Sequence, residues 1–273
     1  MLAIYNNATS TQAQVNLGVN RRALDGNMAR LSSGLRINDA ADDAAGLGIS
    51  QSMRATIRSL GQAARNANDG VSMMQVASGA MAQQAQIMTR MKELATQASN
   101  GTYGTADLTN IDTEFQQLIN EVDRIASSTQ FNGTALLTSG SAVTFQVGAS
   151  ANAYDQIKVT LSKTDKTTLG VAGLDTTSQA NAQAALTAID TALGTLSVAQ
   201  ANAGAAQNRL TAAFDNVSTM KTNTEAAESR IRDVDVASET SAMARNQVLV
   251  QAGTAVLAQA NQLPSMALSL LRG

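Results

Sequence analysis

The sequence predicts a mainly α protein: a long antiparallel helical bundle, or coiled-coil rod, with one small β-hairpin near its middle and its terminal helices paired at one end. Three observations predict this. Phe, Tyr and Trp make up 3% of the 273 residues and Trp is absent. Aromatic side chains supply much of the buried area of a thick core, so thin layers of helices packed through Ala, Leu, Met and Val fit better. Apolar residues recur at three- and four-residue steps over long stretches interrupted by a single proline, Pro264, as extended amphipathic helices require. Finally, both ends of the chain read as helix, connector, long helix, with alternating strands between them.

The first helix develops from Asn6 to Ser33, where Leu17, Leu24, Met28, Leu31 and Leu35 fall at heptad-compatible steps. Gly34 stands ready to end it in the left-handed conformation. Residues 36–43 then form a connector, in which Asn38 or Asp39 can cap the next helix. Asp42 and Asp43 favour the positive end of that helix's dipole. A cation site on these carboxylates would need the glycine and terminal Glu of a calcium loop, which are missing.

A second helical stretch runs from Ala44 to Asn100. Leu47, Met53, Ile57, Leu60, Ala64, Ala67, Val71, Met74, Met81, Ala85, Met88 and Leu94 mark its stripe. Unbroken, it would reach about 85 Å. Gly61, Gly70 and Gly79 argue against perfect straightness, each costing roughly 1 kcal/mol against Ala. The third helix carries Leu108, Ile111, Phe115, Leu118, Val122 and Ile125 at alternating three- and four-residue steps, and Asn132-Gly133 signals a turn beyond it.

Val143–Val147 and Ile157–Leu161 alternate around a small-residue loop and read as a hairpin; residues 163–178 are polar, Thr-rich loop. The last long helix spans 179–234. Ile189, Leu196, Ala203, Leu210, Val217, Thr224 and Ile231 hold one heptad position. The companion position, read as Leu186, Leu193, Gln200, Gln207, Phe214, Lys221 and Glu228, degrades midway and suits a multi-helix bundle.

The tail, Asn246 to Leu271, is uncharged. Leu249, Ala252, Val256, Leu257, Ala260 and Leu263 form an apolar helical face opposite Gln251, Thr254, Gln259 and Asn261. Pro264 and the many amides argue against a membrane span, and such a helix is marginal alone in water. It is built to be buried against protein.

Composition excludes most chemistry. The absence of His and Cys removes the usual general base, the thiolate nucleophile and nitrogen–sulfur metal sites. Gly46-Leu47-Gly48 follows no strand and lacks a third glycine, so it is no dinucleotide loop. The eleven Met residues read as core filler. No enzyme activity and no cofactor are expected. A net charge of −2 and a pI near 5.2 offer no field for nucleic acid or acidic lipid, so neither nucleic acid nor membrane is an expected partner. The opening MLAIYNNATS lacks the marks of a cleaved secretory signal.

With these segments in place, the chain resembles bacterial flagellin. The resemblance rests on Leu31-Ser-Ser-Gly-Leu-Arg-Ile-Asn38, Asp42-Asp-Ala-Ala-Gly46, Arg65-Asn-Ala-Asn-Asp-Gly70, Glu93-Leu-Ala95, Phe131-Asn-Gly133 and Phe145-Gln-Val-Gly148. It continues through Gln207-Asn-Arg209, Ser229-Arg-Ile-Arg-Asp-Val-Asp235, residues 251–262 and Leu268-Ser-Leu-Leu-Arg272. It implies an extracellular, self-polymerising filament subunit for motility, exported by the flagellar type III route without a cleaved signal. Its expected partners are itself, an export chaperone, the cap and the hook-junction proteins.

The resemblance also implies three parts. Residues 1–38 and 235–273 would be the two halves of an inner filament-core domain, and 39–234 a helical domain with a hairpin near 142–162. Residues 133–178 leave no room for variable outer domains. Leu17, Leu24, Leu31, Leu249, Val256, Leu257, Leu263, Leu268 and Leu271 are the expected assembly residues. Arg90, Leu94 and Glu114 match positions used by flagellins that a host Toll-like innate receptor recognises, although Thr89 and Met91 depart from the commonest surrounding pattern. A hook–filament junction protein and a cytosolic coiled-coil scaffold are the alternatives.

Overall fold

The computed structural model describes residues 7–271, with side chains through residue 262. In chain order the elements are α1 (Ala8–Ser33), α2 (Ala44–Ala98), α3 (Thr105–Ser128), β1 (Gln130–Phe131), β2 (Thr134–Ala135), β3 (Ala142–Gln146), β4 (Gln156–Thr160), α4 (Gln179–Arg232) and α5 (Val236–Leu271). The fold is mainly α with a small antiparallel hairpin, as the sequence predicts. It divides into two compact units. One is Thr56–Thr222; the other joins the chain up to Ala55 with the chain from Asn223 onward.

In the Thr56–Thr222 unit, α2 and α4 run antiparallel. Gln179 Nε2 donates to Ser99 O at 3.0 Å, Lys92 is ion-paired with Asp190, Gly70 lies against Leu210, and Leu60 packs with Val217. The facing stripes are strict heptads. On α2 the buried heptad positions from Leu60 onward are 60, 63, 67, 70, 74, 77, 81, 84, 88, 91, 95 and 98, with Met73 and Leu94 buried beside them. On α4, Ala182, Ile189, Leu196, Ala203, Leu210 and Val217 alternate with Ala185, Ala192, Ala199 and Ala206, all buried.

The companion position on α4 is therefore this alanine row, not the expected row beginning at Leu186 and Leu193, which are only half-buried. Both assignments keep three- and four-residue steps, but they rotate the seam in opposite directions from Ile189. The alanine side wins because its short side chains let the helices close on the bulky Met residues of α2. A similar rotation occurs on α3. Ile111, Phe115, Ile119, Val122 and Ala126 are buried, while Leu118 and Ile125 flank the stripe.

Helix α2 runs without a break through Gly61, Gly70 and Gly79. At Gly70 a reason is visible: a Cβ would stand 3.0 Å from Leu210 and 3.1 Å from Phe145. Gln84 interrupts the Met-rich stripe. It is fully buried, and its Nε2 donates at 3.0 Å to Val122 O and to Thr164 O, tying α2 to α3 and to the following loop.

Strands β3 and β4 pair from Ala142↔Thr160 to Gln146↔Gln156, matching the expected hairpin to within a residue. The Asn132-Gly133 turn has both residues left-handed, at φ 47 and 78, and closes a further two-residue ladder, β1–β2. Its strands are too short for periodicity to mark. The polar loop 163–178 is pinned by Asp112, which accepts from Thr176 N at 2.8 Å, and by Gln116, which donates to Leu174 O at 2.8 Å.

In the other unit, Asn7 caps α1 by accepting from Ser10 N at 3.1 Å. Gly34, at φ 72, ends it with an N–H donated to Arg30 O. The cap of α2 differs from expectation. Asp43, rather than Asn38 or Asp39, accepts from Gly46 N at 2.8 Å, because Asp42 is occupied in closing the connector turn on the N–H groups of Asn38 and Asp39. The two connectors meet as a narrow ribbon: Leu35 bridges Asp233, Arg36 N donates to Arg232 O at 2.6 Å, and Val234 N donates to Gly34 O at 3.1 Å.

Candidate assembly surface of the terminal helices

Helices α1 and α5 lie antiparallel. Asn7 Nδ2 donates to Ala260 O at 2.9 Å and Ser10 Oγ to Asn261 Oδ1 at 2.7 Å. Leu17 fills the space left by Gly253, and Arg30 lies 3.7 Å from Glu239. On α1 the face toward this contact is Ser10, Ala13, Leu17, Asn20, Leu24, Asn27 and Leu31, again a strict heptad. On α5 it is Met243, Asn246, Val250, Gly253, Leu257 and Ala260.

The seam is thin. Among the described residues, only Leu17 and Asn27 of α1 and Ala260 of α5 are buried. Large apolar side chains elsewhere on both helices face water. Val15, Val19 and Met28 of α1 are about half exposed; so are Val236, Val248, Leu249 and Val256 of α5, at 43–63%. Scattered exposed apolar residues are ordinary, but Val15 with Val19 on α1 and Leu249 with Val256 on α5 stand four and seven residues apart and so share a helix face, leaving small apolar patches uncovered. An open crevice of about 350 Å³, lined by Thr9, Val256, Gln259 and Ala260, lies on the same pair.

The expected assembly residues separate into three groups. Leu17, Leu24, Leu31 and Leu257 lie in the α1–α5 seam, buried or half-buried. Leu249 and Val256 lie outside it and are exposed. The side chains of Leu263, Leu268 and Leu271 lie outside the described residues. The tail's apolar residues thus do not share one face as the sequence suggested. Small and medium side chains, Gly253, Ala260, Val250 and Leu257, turn to α1, whereas Leu249, Ala252 and Val256 are left free. Val15, Val19, Val236 and Val248 have no place in the heptad patterns read from the sequence, because valines off the regular steps leave no periodic mark.

Polar contacts fix the inner end of this pair. Arg30 reaches Asp42 at 3.4 Å as well as Glu239. The backbone N–H groups of Asp39 and Asn38, aided by Arg30, hold the Asp42 carboxyl below its ordinary pKa. Arg54 lies 3.6 Å from Glu228. Among the described residues no cluster of acidic side chains could hold a metal, and no helix is long and apolar enough to cross a membrane.

In the Thr56–Thr222 unit, the positions expected for receptor recognition come together only in part. Arg90 NH1 donates to Glu93 Oε2 and Arg90 Nε to Glu114 Oε1, each at 3.0 Å. These two carboxylates raise the guanidinium's pKa. Leu94, at 2% exposure, is buried in the core. Arg90 and Glu114 form a surface ion pair, whereas Leu94 belongs to the core.

Long terminal helices that pair loosely and leave apolar faces uncovered define a structural chain built to pack on other helices, not one shaped to hold a substrate. Residues 4–142 match the bacterial flagellin N-terminal helical region, and residues 186–271 match the C-terminal helical region. A flagellin of Halalkalibacterium halodurans is 45% identical over 99% of this chain and 100% of its own length. The Bacillus subtilis flagellin is 39% identical with the same coverage. Flagellin FlaB2 of Treponema pallidum is 40% identical, again over 99% and 100%. A crystal structure of Bacillus cereus flagellin, 30% identical, superposes with a TM-score of 0.51 over 60% of this chain and 94% of that one. The chain belongs to the bacterial flagellins, the structural subunits of the flagellar filament, in a short form without added outer domains.

Proposed function

We propose that the exposed apolar side chains of α1 and α5 are the surfaces through which copies of this chain polymerise, and that their burial by neighbours completes the folding of the terminal pair. The observation that carries this reading is the exposure of Val248, Leu249 and Val256 on a helix without a charged residue from Asn246 to Leu271. A charge placed in such a face would be buried unpaired in the polymer, at a cost of several kcal/mol.

The test is Val256→Asp or Leu249→Asp, followed by extension of wild-type filament seeds. Extension is lost, while thermal unfolding of the monomer moves by no more than about 0.5 kcal/mol, as for other exposed sites. These residues isolate the contact better than Leu257, which also touches α1. Normal extension by either variant would show that this face is not the contact. Removing the last thirty or so residues is expected to leave a soluble helical protein that cannot polymerise.

The remaining partners follow from the family. We infer that the chain leaves the cell through the flagellar type III route. In this reading an export chaperone holds the α5 tail, and the chain meets the cap and hook-junction proteins at the filament end. Whole-length identity to flagellins favours a filament subunit over a hook-junction protein; the likeness to a putative hook-associated protein of Vibrio parahaemolyticus, at 13% identity, is one of fold. The Arg90–Glu114 pair is the accessible part of a host-receptor surface. Recognition through it would be reduced by Glu114→Ala, measured in receptor-reporter cells; an unchanged response would remove the pair from that surface.

A further inference from the structure

The α1 seam contains a flaw. Along it, Leu17, Leu24 and Leu31 stand seven residues apart, and the alternate positions are Ala13, Asn20 and Asn27. Asn27 is 7% exposed. Oriented to satisfy both ends, its amide donates to Ala23 O at 2.5 Å and accepts from Met243 N at 3.1 Å. Asn20 is half-buried. On α5 the positions near these amides are Met243, Asn246 and Val250, so neither asparagine has a side-chain amide partner among the hydrogen bonds of the pair.

We propose that Asn20 and Asn27 are specificity-determining residues, which keep α1 from zipping onto the α1 of another copy and reserve it for the antiparallel α5 of its own chain. With apolar residues at 20 and 27, α1 would carry an uninterrupted seam at 13, 17, 20, 24, 27 and 31, the pattern of a self-associating coiled coil. In a symmetric α1–α1 pair the asparagines would face their own copies in the seam, which costs stability relative to apolar side chains even when the amides pair, and Asn27 would lose the Met243 N–H that α5 provides. In the α5 pairing Met243 N offsets that cost at Asn27, and Asn20 is only half-buried. The other ties of the native register, Asn7 to Ala260, Ser10 to Asn261 and Arg30 to Glu239, are also polar and also specific to α5. The leucines supply attraction without choosing a partner; the amides choose.

This proposal rests on the filament reading in one respect: identical α1 helices crowd one another wherever copies assemble. Its test does not. The full-length double variant Asn20→Leu/Asn27→Leu is compared with wild type and with Gln14→Leu/Asn16→Leu, which adds the same two side chains at exposed positions off the seam. Self-association is followed by sedimentation. Because the chain has no cysteine, a single Leu24→Cys reporter in each background marks contact between α1 helices by disulfide formation.

The seam variant is expected to self-associate at concentrations about tenfold or more below the wild type, to cross-link through Cys at position 24, and to extend wild-type seeds poorly. The off-seam variant should do none of these. A seam variant that stays monomeric, or an off-seam variant that associates equally, overturns the proposal. A Leu24→Cys chain that cross-links equally in the wild-type background does so too. Failure of wild-type chains to extend seeds would count against the filament reading alone.

Discussion

Leu17 Cδ1 occupies the space that a side chain at Gly253 would need: a Cβ there would stand 3.2 Å away. The closest apolar approach of α1 to α5 thus depends on a missing side chain. Gly253→Ala asks Leu17 to give by a few tenths of an ångström and gains up to about 1 kcal/mol of helix propensity, so it should be tolerated. Gly253→Val should not be, because overpacking of about 1–3 kcal/mol falls on a seam with little else buried. Hydrogen exchange should show protection lost along α1 and α5 while the Thr56–Thr222 unit stays protected.

The alanine row of α4 predicts an asymmetry between two neighbouring positions. Ala192→Leu forces bulk into the α2–α4 contact and should destabilise the unit by about 1–3 kcal/mol. Val198→Leu, at a position 62% exposed, should change stability by less than about 0.5 kcal/mol. Equal effects in urea unfolding would mean that the row is not the seam.

Gln84 offers a test of a buried amide. Its Nε2 serves two carbonyl oxygens, while its Oε1 has no protein partner. Gln84→Ala leaves a cavity and strands the Thr164 carbonyl, a combined loss of about 2–4 kcal/mol. Gln84→Met, which continues the sequence of Met81 and Met88, keeps the volume and should recover part of that loss in the same unfolding measurement.

Asp42 gives the terminal unit a pH dependence of definite sign. Its folded pKa lies below the ordinary 3.8 because Asp39 N–H and Asn38 N–H, and secondarily Arg30, favour the charged form. A depressed carboxylate stabilises fully above its unfolded pKa and loses that stabilisation as pH falls through the folded value. Asp42→Asn should therefore destabilise the connector at neutral pH, and its difference from wild type should shrink below pH 3.8. A difference that grows on acidification would contradict the assignment.

Much of this architecture was readable because its signals are local. Gly34 ends α1 as its position before a polar connector suggested, and Asn132-Gly133 makes the turn that two consecutive left-handed residues permit. The missed features depend on partners. Alanine is too small to announce a seam, so the row at 185, 192, 199 and 206 emerged only against the methionines of α2. Leu257 and Val256 are adjacent in sequence, and only the placement of α1 decides that one is covered and the other free. Leu94 is buried at 2% exposure, as its place on the α2 stripe suggested, and this parts it from Arg90 and Glu114, with which the resemblance had grouped it.

The contact between Asn7 and Ala260 spans 253 residues, and that span imposes an order of events. Synthesis makes α1 before α5, so the 26-residue segment of α1 precedes the partner on which it packs. The Thr56–Thr222 unit is compact in itself, whereas the terminal pair closes only once the α5 segment is present. A prematurely terminated chain would hold a folded unit and an orphan α1, and could not display the paired surface. Closing the ends on each other therefore makes the paired surface depend on two segments from opposite ends of the sequence, so that damage to either removes both faces at once.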